Sequence, residues 1–492
     1  MQPLAAPPRR GLVLAIVLLV VGFLASTSVA IVEFVQLREA REEIEDLEAR
    51  LAEGGGGGGG LFGDLGEIFE DAFGELGESL GGGTAAGELV GCLFPEEPFS
   101  SPPIGDAGID QQVDAIADQV ERIRRLEFTE PVDPEFVSPE ESAGRVQELF
   151  LAEYTEAIGD AESRLLTALG AIPPGTDMRS LRAELLGQQV AGFYDPETGE
   201  LVVRQVGGEL TLTDRVVLAH ELDHALTDQV LELPVPDDIR TGREDADLAV
   251  TALVEGDATL LMQLYSASLP IEEQFQGLDP SAFTEAIQAQ ADLADLPPYL
   301  STELTFPYEE GLRFVCDLYT EGGWEAVNQA YRDPPDSTVE VLVPELYRDG
   351  FEPVDPRDPG PLGRTWRRTA TMQLGAAPLL WLLQAPGGRD SRGLPEARAA
   401  AQSWAGGELE LWTRGADSAV GISLAERPGQ DRLCLSMQEW YGSSVEGDRE
   451  RGTPDGAFEA DGDRQDAVID CPADEVRIGL APDLHTARML AR

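Results

Sequence analysis

The sequence predicts an α+β protein behind an apolar N-terminal segment: a mostly helical region containing one β-hairpin, then a mixed α/β region. Three observations carry this. Apolar residues recur at three- and four-residue spacing over 110–126, 139–169, 212–233 and 245–268, the period of a helix with one buried face. Residues 188–206, QQVAGFYDPETGELVVRQV, read as two strands around Asp195-Pro196-Glu197-Thr198-Gly199, with Pro and Gly where turns accept them. Beyond residue 350, strand-like runs at 407–413, 418–425, 466–470 and 475–480 mix with helical stretches at 372–383 and 395–404, and the acidic, Gly-rich 444–464 reads as a loop.

The chain has 492 residues and is 42% hydrophobic, enough to bury a sizeable core. All 35 of its basic side chains are Arg, set against 91 acids, for a net charge of −56. Such a surface excludes nucleic acid as a partner, because phosphate binding needs a basic stripe. It disfavours anionic lipid headgroups for the same reason.

Residues 1–10 form a tail ending in Arg9 and Arg10, and 11–35 form an apolar run whose one charge is Glu33. A helix of about 20 apolar residues spans a bilayer, and Arg in front of it favours a cytoplasmic N-terminus. Two readings stay open: an uncleaved single-pass anchor, or a signal segment cleaved near Ala30 to release a secreted chain. Either places the bulk of the protein outside the cytoplasm. Residues 36–104 read as a juxtamembrane helix and flexible stalk. Leu37, Ile44 and Leu51 recur every seven residues, so 36–53 offer a short seam for weak self-association or simply a charged helix. Seven glycines at 54–60 and the Pro-rich 95–103 act as spacers, with a Gly-interrupted amphipathic stretch at 61–80 between them. The folded part is expected over 105–350, with 351–492 packed on it. Cys92, Cys316, Cys434 and Cys471 contain no C-x-x-C pair, so disulfides suit them better than a zinc knuckle. Outside the cytoplasm two bridges are expected, and Cys434–Cys471 is favoured because both lie in the same region.

The helix at 212–233, with Thr213 as its expected N-cap, carries His220-Glu221-Leu222-Asp223-His224, a match to H-E-x-x-H. Two His at i and i+4 share one helical face and can direct two imidazole nitrogens at one Zn2+. Glu221 sits where it can act as general base toward a water polarised by the metal. With 3 His in the chain, a chance match is expected in on the order of one chain in five hundred. The bland alternative is a solvent-facing His pair. A catalytic zinc takes three protein ligands and keeps one position open. The remaining histidine, His485, lies near the C-terminus without a helix to present it. Glu255, in LAVTALVEGDATLLMQLYSAS, is the better third ligand, because a charge in so apolar a helix needs a cation nearby. Asp257 is a weaker ligand candidate and fits better as an outer partner or a surface acid. Asp228, four residues after His224, can accept a proton from a ligand imidazole or be an ordinary solvated acid.

This layout resembles the gluzincins, in which an H-E-x-x-H helix is followed by a second helix bearing a Glu ligand. More closely, the chain is similar to a set of membrane-anchored metallopeptidases. The similarity is carried by GFYDPETGELVV, VLAHELDHALTDQ, ALVEGDATLLM and FPYEEGLRFVCDLYTEGGWEAVNQAYRDPPDSTVEVLVPELY, which cover about residues 190–347, with a weaker echo at Trp404-Ala405-Gly406-Gly407. The resemblance implies a zincin-like domain whose hairpin edge strand lines a cleft, a bound Zn2+, and hydrolysis of a peptide or protein substrate. By the same analogy Tyr308, just before a helix at 309–320, would donate to the developing oxyanion, with Tyr265, Tyr331 and Tyr347 as competitors. Two departures stand out. Thirty residues separate His224 from Glu255, longer than in thermolysin-like enzymes, and Val343 stands before Pro344 where the set often has His. Endopeptidase and aminopeptidase remain open. So do an inactive zincin-fold envelope protein serving as a binding or scaffolding module, and a purely structural zinc, which would leave Glu221 without a purpose.

Overall fold

A computed structural model describes residues 92, 99–101, 108–189, 191–205, 210–234, 243–270, 296–385, 393–444, 449–452, 458–461, 465–473 and 475–492. The expected anchor at 11–35, and all but a few residues of the expected stalk, lie outside them. Among the described residues no helix is long and apolar enough to cross a membrane.

Helices and strands alternate along the chain, with a three-stranded sheet in the first half and a seven-stranded sheet in the second, an α+β arrangement. The first half runs α1 (Ile109–Arg124), β1 (Glu135–Val137), α2 (Pro139–Glu153), α3 (Glu156–Ala168), α4 (Met178–Gln189), β2 (Gly192–Asp195), β3 (Glu200–Arg204), α5 (Leu212–Leu231), α6 (Glu244–Ser268) and α7 (Pro298–Arg332). The single helix expected over 139–169 is two. Thr155 accepts from the Ile158 amide and starts α3 with its own N-cap, turning the chain between the two apolar faces. The hairpin forms as expected. Gly199 takes φ 71° in its turn, where a side chain would be strained, and its amide donates to Asp195 O at 2.7 Å. β3 lies between β2 and β1, antiparallel to the first and parallel to the second, which leaves β2 at the sheet edge.

The N-cap of α5 is Thr211 and not Thr213. Thr211 and Asp214 form a reciprocal capping box, which satisfies two amides at once where an isolated Thr213 would satisfy one. The helix expected at 309–320 is the middle of α7. That element starts at Pro298, whose missing N–H costs nothing at a helix start, and kinks at Gly323 with φ 62°.

The second half contains α8 (Thr338–Leu342), α9 (Pro344–Asp349), β4 (Arg367–Gln373), α10 (Ala376–Gln384), α11 (Ala397–Gln402), β5 (Trp404–Arg414), β6 (Asp417–Glu426), α12 (Leu433–Ser444), β7 (Arg449–Gly452), β8 (Phe458–Asp461), β9 (Asp466–Asp470), β10 (Glu475–Ala481) and α13 (Leu484–Leu490). Seven strands form one antiparallel sheet in the order β4-β5-β6-β10-β9-β8-β7. β7 and β8 fall within the stretch expected as a loop. β7 has no apolar alternation and β8 alternates over four residues only, too short a signal by itself; pairing of β8 with β9 and of β7 with β8 decides their state. The apolar core runs without a break from α1, α5, α6 and α7 into this sheet, joining Leu253 and Phe314 with Leu409, Ile422 and Ile478.

Two disulfides close the fold. Cys434–Cys471 ties α12 to the end of β9, the pairing expected from the sequence. Cys92–Cys316 ties a buried residue within the stretch read as stalk to the middle of α7. Ser101 N donates to Ser268 O at 2.9 Å, a second attachment of the same stretch. A chain beginning at residue 105 therefore loses a cross-link of sequence separation 224. Cys92→Ser is expected to lower stability by about 2–4 kcal/mol. Denaturant midpoints of this variant and the wild type, with and without reductant, check it: reductant should remove most of the difference.

Candidate metal centre

α5 and α6 lie side by side at the middle of the core, and both are buried over most of their length. On α5, His220 and His224 are one turn apart and face the same way. Their rings sit 4.7 Å apart at 82°, with the two Nε2 atoms 3.0 Å from each other. From α6, Glu255 Oε2 lies 3.3 Å from His220 Nε2 and 3.6 Å from His224 Nε2. Among the described residues this is the one group of three or more His, Cys, Asp and Glu side chains whose ligand atoms converge. His485 lies in α13, apart from it.

The fit to a cation can be tested on geometry. Bonds of about 2.0–2.1 Å in a tetrahedron put donor atoms about 3.3–3.4 Å apart. The three observed separations of 3.0, 3.3 and 3.6 Å bracket that value. Chemistry agrees. Both Glu255 oxygens and both imidazole Nδ1 atoms are buried without a hydrogen-bond partner. Two Nε2 atoms 3.0 Å apart hold at most one proton between them, so a single N–H must serve both that contact and the carboxylate. Leaving it so is expensive, and a metal ion in the midst of the three atoms removes the cost. Burial pushes the His220 imidazole down to about 4, which keeps it neutral as a ligand must be. For Glu255 burial pushes the pKa up, but the two histidines outweigh it and hold the carboxylate below its ordinary range.

Glu221 lies close enough to Glu255 for the two charges to interact. Its two oxygens are buried and unpartnered, and burial, with the negative Glu255 second, raises its pKa well above the ordinary value. Gly192, at the start of the edge strand β2, leaves room for it: a Cβ there would stand 3.2 Å from Glu221 Oε1 and 3.0 Å from Val202 O. The hairpin thus reaches the acid of the H-E-x-x-H motif through a residue with no side chain.

Tyr308 lies within α7 and not before it, immediately after Pro307. Its hydroxyl is buried and without a hydrogen-bond partner. Burial pushes its pKa well up, and the charges of Glu255 and Glu221 push it further, so it keeps its proton. What brings it there is a helix crossing with no side chains between the backbones. A Cβ on Gly256 would collide with Gly311 backbone, and one on Gly311 with the Ala252 carbonyl. Gly256 follows Glu255 and Gly311 lies three residues after Tyr308, so this contact sets the phenol beside the carboxylates. Two of the three competing tyrosines are engaged elsewhere: Tyr331 OH donates to Asp257 Oδ2 and Tyr347 OH to Asp333 O, both at 2.8 Å.

The two outer acids have other partners than a ligand imidazole. Asp228 accepts from Tyr194 OH at 2.8 Å and from the Leu233 amide at 3.3 Å, so it fastens strand β2 and the end of α5. Asp257 is fully buried, which excludes the surface-acid reading. It accepts from Arg124 Nη2 at 2.9 Å. Arg124, the last residue of α1, has no metal-motif signature and was not legible as part of the site. Its one signal was a cation at the end of an amphipathic helix, which is usually solvated.

Comparison with models of protein families, with characterised proteins and with solved structures finds no match to this chain. The site therefore stands on its own geometry: three convergent donors that could hold a metal ion, a flanking carboxylate, and a phenol.

The Gly256–Gly311 crossing yields a prediction. Gly311→Ala drives a methyl into the Ala252 carbonyl, so α7 must move away. A loss of about 1–3 kcal/mol is expected from overpacking, measured by thermal or denaturant unfolding. Gly350→Ala, at a surface position with φ 69° and open space around it, serves as the control and should cost about 1 kcal/mol.

Proposed function

We propose that the protein is a zinc-dependent metallopeptidase of the gluzincin type, with a zincin-like domain acting outside the cytoplasm on a peptide or protein substrate. One observation carries the reading: His220, His224 and Glu255 converge at tetrahedral spacing with Glu221 beside them. Zinc is favoured over harder cations because two of three donors are imidazole nitrogens. The two disulfides are compatible with an oxidising compartment, and hence with the apolar N-terminal segment as an anchor or signal.

When bound, the metal would supply Lewis acidity to a water and to the scissile carbonyl. The rest falls to this chain's side chains. Glu221 accepts the proton of the attacking water and returns it to the leaving amine. Tyr308, protonated and unpartnered, donates to the oxygen on which negative charge develops. Strand β2, at the sheet edge beside Glu221, would hold an extended substrate backbone by adding it as a further strand.

A different observation favours a second reading. The donor set is buried, with His220 at 1% exposure and Glu221, His224 and Glu255 at 0%. An inactive zincin-fold module in the envelope would show such closure and keep the metal for stability alone.

The purified full-length chain is expected to hold one zinc by elemental analysis, and His220→Ala to lose it. Glu221→Gln should retain the zinc and lose peptide hydrolysis by roughly 10²–10⁴. Tyr308→Phe should retain the zinc and lose about 10²–10³ in kcat. Glu255→Gln should instead weaken zinc binding, because an amide is a poor ligand beside a carboxylate. Peptide-library cleavage and zinc content measured side by side separate the readings. Stoichiometric zinc with no cleavage by the wild type favours the module; cleavage by Glu221→Gln at the wild-type rate defeats the mechanism.

A further inference from the structure

The metal-bearing helices share a second buried centre, built around one guanidinium. Arg124 is fully buried. Its Nη2 and Nε donate to Asp257 Oδ2 of α6 at 2.9 and 3.3 Å, and Nε lies 3.8 Å from Asp223 Oδ1 of α5. Its Nη1 donates to Asn328 Oδ1 at 2.7 Å, and the guanidinium stacks 4.4 Å over the Trp324 ring. Both residues lie beyond the kink in α7, as does Tyr331, whose hydroxyl donates to Asp257 Oδ2 at 2.8 Å. One cation from α1 therefore touches all three helices that carry the candidate site.

The placement along the sequence gives this centre its meaning. Asp223 is the residue before His224, and Asp257 is two residues after Glu255. On a helix of 3.6 residues per turn, two residues correspond to about 200°, so Asp257 leaves α6 on nearly the opposite side from Glu255. A helix held only by apolar contacts can roll about its axis at little cost. One gripped at its back by two charge-assisted N–H donors on a single carboxylate oxygen cannot roll without breaking them. Arg suits the task where Lys would not, because its planar fork fixes direction as well as charge.

We propose that Arg124 is a positioning residue for the metal site: by holding Asp257 it fixes the rotation of α6 and so keeps Glu255 aimed at the two imidazoles. The inference rests on the metal reading of His220, His224 and Glu255. Arg124 touches neither metal nor substrate, so its effect is on how well Glu255 ligates.

The test uses the full-length chain in four variants, Arg124→Met, Arg124→Lys, Tyr331→Phe and Leu409→Ala. Three quantities are read: zinc Kd by competition with a chromophoric chelator, the visible absorption of the Co2+-loaded protein, and melting of the metal-free protein. Arg124→Met should raise the zinc Kd by about 10–100-fold, the usual cost of losing an outer partner of a ligand. Its Co2+ spectrum should move toward that of Glu255→Gln, the signature of a lost carboxylate ligand. Arg124→Lys keeps the charge and loses the fork, so it should fall between Met and wild type. Tyr331→Phe removes one hydrogen bond to Asp257 without stranding a charge, and should weaken zinc binding by a few-fold in the same direction. Leu409→Ala empties a buried position in β5, at 1% exposure, and lowers the melting temperature without touching this centre. It should leave the zinc Kd and Co2+ spectrum at wild-type values.

If Arg124→Met does not fold, Arg124→Lys and Tyr331→Phe carry the same readouts. Wild-type zinc affinity and Co2+ spectrum in the folded variants overturn the proposal. So does an equal loss in Leu409→Ala, which would show that affinity follows overall stability. A wild type that binds no metal removes the metal reading itself, and this inference with it, before any variant is compared.

Discussion

A charge taken out of water must find another charge or a full set of hydrogen bonds, and four carboxylates on two adjacent helices are buried at the centre of this protein. Glu221 and Asp223 come from α5, Glu255 and Asp257 from α6. The rest of the helical half is arranged around this requirement. Two imidazoles and the space for a cation answer Glu255. A guanidinium brought in by α1 answers Asp257 and, more distantly, Asp223. Asp223 is compensated only through that more distant contact, while Glu221 has no cation of this chain beside it. Burial pushes the Asp223 pKa well up and Asp257 adds to it, with Arg124 opposing.

Three consecutive residues of α6 summarise how one helix can serve three neighbours. Glu255 faces α5 and the metal donors, Gly256 lets the backbone of α7 come into contact, and Asp257 reaches the arginine of α1. Each task excludes the others' residue type. A larger residue at 256 would push α7, and with it Tyr308, off the site. A neutral residue at 257 would leave Arg124 buried without its carboxylate. This turn is therefore constrained in charge, volume and helical phase together.

The same reasoning explains why the hairpin matters to a site made by helices. β2 is an edge strand, and its first residue is a glycine against the Glu221 carboxylate. Tyr194, two residues on, is fastened to Asp228 at the C-terminal end of α5. The strand is thus clamped along the helix that carries both imidazoles, from the general-base candidate to the helix end. Among its described residues the second half of the chain adds no ligand atom to the candidate site. Its sheet extends the core and buttresses α7 through α10, whose Trp381 packs edge-on against Phe306 and Tyr299.

The sequence alone determined what depends on local spacing. Two His four residues apart on an apolar helix can only face the same way, so the candidate ligand pair and the adjacent Glu221 were legible without a fold. Glu255 was legible because a charge inside an apolar 3.6-residue period needs a partner. The hairpin was legible from its Asp-Pro-Glu-Thr-Gly turn, and the Cys434–Cys471 bridge from proximity in the chain. Tertiary structure decided whatever depends on which helix faces which. Asp228 has the right spacing to support an imidazole, yet a strand tyrosine claims it. Asp257 reads as a surface acid until α1 delivers Arg124 from 133 residues away. Tyr308 could be singled out only by analogy, because its place beside Glu255 is made by a glycine–glycine contact between helices. β7 and β8 carry too short an apolar pattern to announce themselves and are strands because β9 offers an edge to β8 and β8 to β7. A helix states its own period, but only packing states its neighbours, and burial turns a neighbour into the partner that a charge requires.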